Sequence, residues 1–522
     1  MTEPGAHGSP PEAASLSGPR RAGTARRGRA PGALRARSVL LVVVALAAFA
    51  AAGRAAGAGG GAPAVLSRGT PLLPVVQVSS SLSQIWECPG PLPVGAGREH
   101  SFVDIVDPGS RSVVVTVALT PAAGSSSALA SSQGSGTSRQ VSIPAGTEQS
   151  VDLPVAGAAG YAAASVISDG AQVAVSEVVT GGVEPIESPC DLGTSVTSYL
   201  APASTADRSD VELAVADPTA TPAVVDVRAY VGDQSVSPPP LQGLAVPANG
   251  ITVLDLGHFV VQQGVVGIAV TATSGRVVTG ALEHLFEPHV GAGNALVTGV
   301  GSPRSTWVLT PGPAVADTMI LVRVLDPGRR PVIVSVSSPF AGQPTSEVTL
   351  QVAAGAAAEV PLPVPSAARG SAGGGVGPAP REGAIVVRAG GGAGVVVSAV
   401  TSVPVSGQPD VAVVGVPAAE QSMTWLLPGA MSYPLANDDV EVANPGSSTA
   451  HVVVERFSAS GITEVAKADV AAGATTWVKL WETIRNTPAF SLRVTSSSPV
   501  AVSQAFTAAK GRSGAPGIPA RP

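Results

Sequence analysis

Aromatic residues make up only 3% of the 522 positions, which excludes a core built around large rings. Hydrophobic residues reach 45%, but most are Ala and Val, so any core is assembled from small and β-branched side chains, the kind that suits thin sheets. Cysteine occurs only at Cys88 and Cys190, and no C-x-x-C metal or redox pair exists. Also missing are the G-x-S-x-G elbow, the S-x-x-K nucleophile, H-E-x-x-H and a phosphate loop after a strand. The GAGGGA run at 57–62 lies in an Ala/Gly linker and is no dinucleotide site. These absences argue against an enzyme, a cofactor and a metal centre.

What is abundant is Gly (61) and Pro (48), together more than a fifth of the chain, a usage that multiplies turns and disfavours long helices. At this length a single core of ordinary size is excluded, and three or four domains are expected.

The net charge of -6 hides an asymmetry. Residues 1–37 hold seven Arg (20, 21, 26, 27, 29, 35, 37) against Glu3 and Glu12, a balance of +5 that leaves -11 for the remainder. An arginine-rich arm alone would read as a binder of nucleic acid or anionic lipid. Directly after Arg37, however, comes SVLLVVVALAAFAAAG, uncharged until Arg54. A positive flank followed by an apolar segment predicts a cytoplasmic arm and export of everything after about residue 55, with no nucleic-acid partner. Ser38–Gly53 would span roughly 24 Å as a helix, short of the ~30 Å hydrocarbon core, and extension through Gly57 with Arg54 snorkelling closes the gap. Residues 38–57 therefore read as a transmembrane helix and 58–80 as a flexible tether. The small residues Ala50, Ala51 and Ala52 keep a cleaved signal and a secreted product as the alternative. In an oxidising compartment Cys88 and Cys190 read as a disulfide, worth about 4–5 kcal/mol on chain-entropy grounds, with two buried thiols as the other reading.

One motif recurs. VDPGSRSVVVTV at 106–117 is matched by VADPTATPAVVDV at 215–227, VLDPGRRPVIVSV at 324–336 and VANPGSSTAHVVV at 442–454. The anchors Asp107, Asp217, Asp326 and Asn444 stand 110, 109 and 118 residues apart, the length of a small domain. Apolar residues alternate on both sides, as in Val103 and Ile105 before the first anchor and Val113, Val115 and Val117 after it. Such alternation predicts a hairpin with one face on a core. At the corner, Asp or Asn bonds forward to the backbone, Pro presets φ and Gly takes the left-handed position of a type II turn; Thr219 calls for type I.

Other marks keep the same order. Each copy opens with an aromatic, Trp86, Tyr199, Trp307 or Trp425, followed by Pro89, Pro202, Pro311 or Pro428. A small turn comes later, in IPAGTEQSVDL, VPANGITVLDL, VAAGAAAEVPL and VAAGATTWVKL, and implies another hairpin. The fold expected is all-β: four tandem immunoglobulin-like β-sandwich modules at 81–192, 193–300, 301–415 and 416–509, with a disordered tail at 510–522. The inserts 121–139 and 365–383 read as mobile loops, and KLWETIRN at 479–486 as a capping helix.

Candidate chemistry is thin. In LEHLFEPH, Glu283, His284, Glu287 and His289 offer metal ligands, but Pro288 opposes a helix, and in a strand the two histidines face opposite sides. A solvated exit strand is the preferred reading. The anchor acids supply one carboxylate per corner, too few for calcium, and fit a turn role. The opening aromatics, at one place in every repeat, read as packing groups, with sugar stacking as the alternative. A glycosidase's carboxylate pair leaves no linear signature.

The basic arm, the Ala/Val segment, the W-x-C-P-G-P opening at Trp86–Pro91 and the later D/N-P-G corners resemble a group of uncharacterised actinobacterial exported proteins. That resemblance implies export and membrane anchoring and carries no activity. The function expected is a non-enzymatic envelope scaffold or spacer for protein or cell-wall glycan partners. A carbohydrate-binding array and an envelope hydrolase are the alternatives.

Overall fold

The computed structural model describes residues 74–77, 83–95, 99–122, 129–133, 137–153, 160–170, 172–181, 185–287, 291–310, 319–338, 346–363, 384–402, 412–414, 416–417, 420–432, 436–458, 461–508 and 512–521. The basic arm, the apolar segment 38–57, the insert 365–383, Pro311 and His289 lie outside them. Among the described residues the fold is all-β, and no helix is long and apolar enough to cross a membrane.

Among the described residues the sandwich of repeat 1 is built from eight strands, Gln84–Val94, His100–Val106, Val113–Pro121, Ser138–Ile143, Glu148–Asp152, Gly160–Ser168, Ala174–Thr180 and Ile186–Pro189. They form two antiparallel sheets, ordered first–sixth–third–fourth and eighth–seventh–second–fifth. Alternation sorts each strand between the shared core and the outer face. Val113, Val115 and Val117 are buried, whereas Val114 is exposed. The other repeats follow the same plan, with first strands Thr197–Ala203, Thr306–Leu309 and Ser422–Ser432. In repeat 4 one strand, Thr487–Ala508, serves as both sixth and seventh.

This order corrects three expectations. An immunoglobulin sandwich places its first strand beside the second; here the first strand pairs with the sixth, and the seventh lies beside the second. The D/N-P-G corner joins the second strand to the third, which lie in opposite sheets, so it is an arch and not a hairpin. Two facing sheets bury the same alternate residues that a hairpin would, which is why the pattern looked alike. The small turn between the fourth and fifth strands likewise switches sheets. Its left-handed residue recurs, at Gly146 (φ 66°), Asn249 (φ 46°), Gly355 (φ 66°) and Gly473 (φ 67°).

Gly109, Gly328 and Gly446 do not adopt positive φ. Each donates its N–H to the anchor side chain, at 2.8 Å to Asp107 Oδ1, 2.8 Å to Asp326 Oδ1 and 3.0 Å to Asn444 Oδ1. A Cβ there would lie only 2.9, 2.8 and 3.0 Å from that same oxygen, so the glycine answers a close approach. Thr219 meets the constraint differently, its N–H and its hydroxyl both donating to Asp217 Oδ1, at 2.8 and 2.7 Å.

In repeats 1, 2 and 4 the Pro after the opening aromatic marks a bulge in the first strand. Pairing with the sixth strand slips between Cys88 and Leu92, Leu200 and Ala203, and Leu427 and Ala430. After the eighth strand the chain returns to its own opening aromatic. Asp191 bridges Glu87, Val300 bridges Tyr199, Pro417 opposes Trp307 and Pro519 opposes Trp425.

The repeats do not form a string. The sheet holding the second strand packs its outer face on the first–sixth sheet of the preceding repeat. Ala214, Ala216, Ile251 and Val253 of repeat 2 cluster with Ala163 of repeat 1. Leu325 of repeat 3 lies on Gly267, and the Ser398 hydroxyl donates to the Pro202 carbonyl at 3.1 Å. Val308 and Ala384 of repeat 3 join the repeat 4 core. Repeat 1 in turn packs on repeat 4, where a Cβ at Gly429 would touch Glu187 and Val178, and where Ile462 reaches Gly146. Four repeats thus close a ring. The eighth strands, each a sheet edge, meet their neighbours inside it, covering edges that would otherwise invite pairing with another chain.

Residues 512–521, expected to be disordered, complete repeat 4 as its eighth strand Arg512–Pro516 and its closing strand Ile518–Arg521. Val76–Gln77, within the expected tether, pairs in parallel with Ala520–Arg521. The insert 121–139 contributes Leu129–Gln133 as a strand beside Gly250–Asp255 of repeat 2. The segment 479–486 makes a single turn, Ile484 N–H donating to the Leu480 carbonyl at 2.7 Å, because Trp481–Glu482 lie exposed and give a helix no apolar face.

Two outcomes are expected. Removing 510–522 lowers the thermal unfolding midpoint, since burying Ile518 alone is worth about 1.5–3 kcal/mol; a disordered tail would leave the midpoint unchanged. Asn444 uses its amide to donate to the carbonyls of Ser448, Val470 and Ala471, whereas Oδ2 of Asp107, Asp217 and Asp326 has no hydrogen-bond partner. Burial pushes Asp107 and Asp326 up from the usual carboxylate range, so their contribution is full at acid pH and lost as pH rises. Asp107→Asn and Asp326→Asn should each gain about 1 kcal/mol in denaturant melts, more at pH 8 than at pH 5.

Candidate functional site

Cys88, on the first strand, and Cys190, just after the eighth, form a buried disulfide with Cα atoms 4.5 Å apart. Glu177 points from the seventh strand at the same place, a carboxylate oxygen lying within 4.8 Å of both sulfurs. Its Oε2 accepts the Gly90 N–H at 2.9 Å, while Oε1 has no partner, and burial pushes the carboxyl up to about 8. With the sulfurs bonded to each other, this trio lacks the thiolates a metal would need. Glu87 and Asp191, the residues beside the cysteines, bridge each other through their backbones, and burial raises each to about 7.

The opening aromatics turn inward. Trp86, Trp307 and Trp425 are fully buried and Tyr199 half-buried, so the tryptophans offer no face to a sugar. Trp307 donates from Nε1 to the Val395 carbonyl at 2.9 Å, and Trp425 to that of Val500 at 3.2 Å. The anchors Asp107, Asp217, Asp326 and Asn444 are equally buried, the aspartates bonded within their own corners and Asn444 also to the small turn at Val470 and Ala471.

The 283–289 segment is divided by its strand, Val278–Glu287. Glu283 is buried, accepting the Ser204 N–H at 2.8 Å and meeting Arg323 Nη1 of repeat 3 at 3.2 Å. His284 lies on the opposite face, its Nδ1 2.7 Å from Asn294 Oδ1. Arg323, fully buried, also reaches Glu359 at 3.1 Å through Nε. Beside this network lies a cavity of about 10 Å³ lined by Pro202, Glu283 and Ser398 among others, room for about one water.

A group of buried carboxylates lies where repeat 1 meets repeat 4. Asp104, Glu148 and Glu187 come from repeat 1 and Asp438 from repeat 4. Burial raises Glu187 and Asp438 well above the usual carboxylate range, Glu148 to about 8 and Asp104 to about 6. Their mutual repulsion adds to this, Asp104 acting on Glu148 and Glu187, and Glu187 on Asp438. Linear reading missed this group because its members are scattered over 335 positions. The one available signal was the repeat comparison, since Glu187 replaces the apolar residues Leu296 and Ala412 at the same register.

Residues 189–377 match a family of unknown function (DUF5719), a stretch covering all of repeat 2 and the first five strands of repeat 3. No curated protein matches the chain. The Glu283–Arg323–Glu359 network falls inside the matched stretch, and its energetics are testable. Arg323→Ala removes the buried guanidinium that meets Glu283 and Glu359 and should cost about 3–5 kcal/mol in urea melts. Arg323→Met paired with Glu283→Gln should recover most of that loss.

Proposed function

We propose that the protein is a non-enzymatic scaffold of the cell envelope, anchored by residues 38–57 and displaying its ring of β-sandwich repeats outside the membrane to bind a protein or cell-wall glycan partner. The observation that carries this reading is where the recurrent residues go. Anchors, opening aromatics and left-handed turn residues are all spent on folding, buried or bonded within their own repeat. Repetition has therefore built a support, and variable segments between the strands are left to make contacts. The buried Cys88–Cys190 bond supports an oxidising location. The immunoglobulin-like character lies in the size of each repeat and in the second–fifth and third–sixth strand pairs. Export from an actinobacterial cell follows from the resemblance of the opening and corner motifs.

Fractionation of cells making the full chain should place it in the membrane, with residues beyond 68 open to added protease and the arm protected. Recovery only from the medium, with a new N-terminus near residue 53, would replace anchoring by secretion. Residues 68–522, a compact unit, should retain an envelope protein or polysaccharide in pull-down. Turnover of envelope glycans by the same material would overturn the scaffold reading.

A further inference from the structure

The seam between repeats 4 and 1 differs from the other three in connection, and from those between repeats 1 and 2 and between repeats 2 and 3 in charge. Repeats 1–2, 2–3 and 3–4 follow one another along the chain, whereas repeats 4 and 1 are held only by non-covalent contacts. These are the parallel pair Val76–Gln77 with Ala520–Arg521, the Ser513 hydroxyl donating to the Pro185 carbonyl, Ile462 on Gly146, and an apolar plug of Val178, Met431 and Phe506 against Phe102.

Beside that plug lie Asp104, Glu148, Glu187 and Asp438. Both Asp438 carboxylate oxygens, Asp104 Oδ2 and Glu187 Oε2 are buried without a well-aligned hydrogen bond; Gln504 and the Asp439 N–H near Asp438, and the Ser176 hydroxyl near Glu187, offset only part of the cost of burial. Asp152 adds its repulsion to Asp104 and Asp439 to Asp438, while Arg456 offsets Glu148 and Lys479 stands across the strand pair from Asp439. Arg456 also lies 5.4 Å over the Phe490 ring. The seam between repeats 2 and 3 answers its buried acid with Arg323, and that between 1 and 2 places Ala214 where Asp104 stands; the seam between 3 and 4 has the single buried acid Glu441 at that position.

We propose that the repeat 4–repeat 1 seam is a proton-controlled latch, closed when Asp104, Glu148, Glu187 and Asp438 carry protons and loosened when they ionise. Buried carboxylates that lack counter-charge are kept neutral or expelled toward water. A bound divalent cation is the competing way to neutralise them. The geometry favours protons, because among the described residues the only trio of candidate ligand groups within 4.8 Å of one another is Cys88, Glu177 and Cys190. Folded-state values raised above the ordinary range make closure strongest below about pH 4. That stabilisation is lost as pH climbs through about 6 for Asp104 and about 8 for Glu148, with Glu187 and Asp438 titrating well above their ordinary range.

Hydrogen exchange on the full-length protein in detergent, corrected for the intrinsic rate, tests this between pH 5 and 8.5. Protection at Val76–Gln77, Ile186–Pro189 and Ile518–Arg521 should fall at least ten-fold, while Thr197–Ala203 and Val396–Ser402, at the seam between repeats 2 and 3, stay unchanged. Glu187→Gln with Asp438→Asn should keep the seam protected at pH 8.5. Should that pair fail to fold, Glu187→Leu, which installs the residue of repeat 2, should do the same. Equal protection across the range, an unaltered pH response in a folded variant, or opening by EDTA at pH 5 would each overturn the latch.

Discussion

The sheet carrying the second strand of each repeat buries both of its faces, and the rest of the molecule follows from that. Its inner face fills the sandwich core; its outer face has no water to meet, because the preceding repeat lies on it. Where repeat 2 meets repeat 1 and repeat 3 meets repeat 2, the outer residues are small or paired. Gly280 passes beneath the Gly90 carbonyl, Ala214 meets Ala163, and Arg323 bonds to Glu283 and Glu359. A linear array built this way would leave one such face bare at its start and would need a polar cap. Packing repeat 1 on repeat 4 removes the bare face, and the eighth strands then cover one another's edges.

Much of this plan was legible. The anchors at 107, 217, 326 and 444 located the repeats, their side chains form the expected forward bonds, and alternation around them picked the core valines. Sequence could not show which strands share a sheet, because period two reports the buried face and not the neighbour. That is how an arch looked like a hairpin. Composition misled at the C-terminus for a related reason. Ser513, Ala515 and Ile518 are too few to announce a strand in a Gly/Pro-rich stretch, yet the edge already present on Thr487–Ala508 supplies the missing hydrogen bonds. Asp104 and Glu187 were equally hidden, since a polar residue at an outward position normally faces solvent and only the ring's closure buries it.

The seams are built alike but filled differently. Repetition fixes the backbone approach, with a bulged first strand under a small residue of the seventh, while side chains at the contact vary from alanines to an ion network to bare acids. Local chemistry can therefore be changed at one seam without disturbing the fold of any repeat. Repeat 1 carries the greatest departure, with the disulfide, Glu177 and three of the four seam acids, and it is also the repeat that must meet a partner from the far end of the chain.

The pairing of Val76–Gln77 with Ala520–Arg521 brings the two ends of the folded unit side by side. A polymer whose ends abut has no privileged starting point. The same four repeats, threaded in the order 2, 3, 4, 1 with a short bridge from 521 to 76, would retain every sheet and every seam, and merely exchange which seam is spanned by covalent chain. Circular permutation would thus move the weak joint around the ring at will, separating what the acids do from what the missing peptide link does.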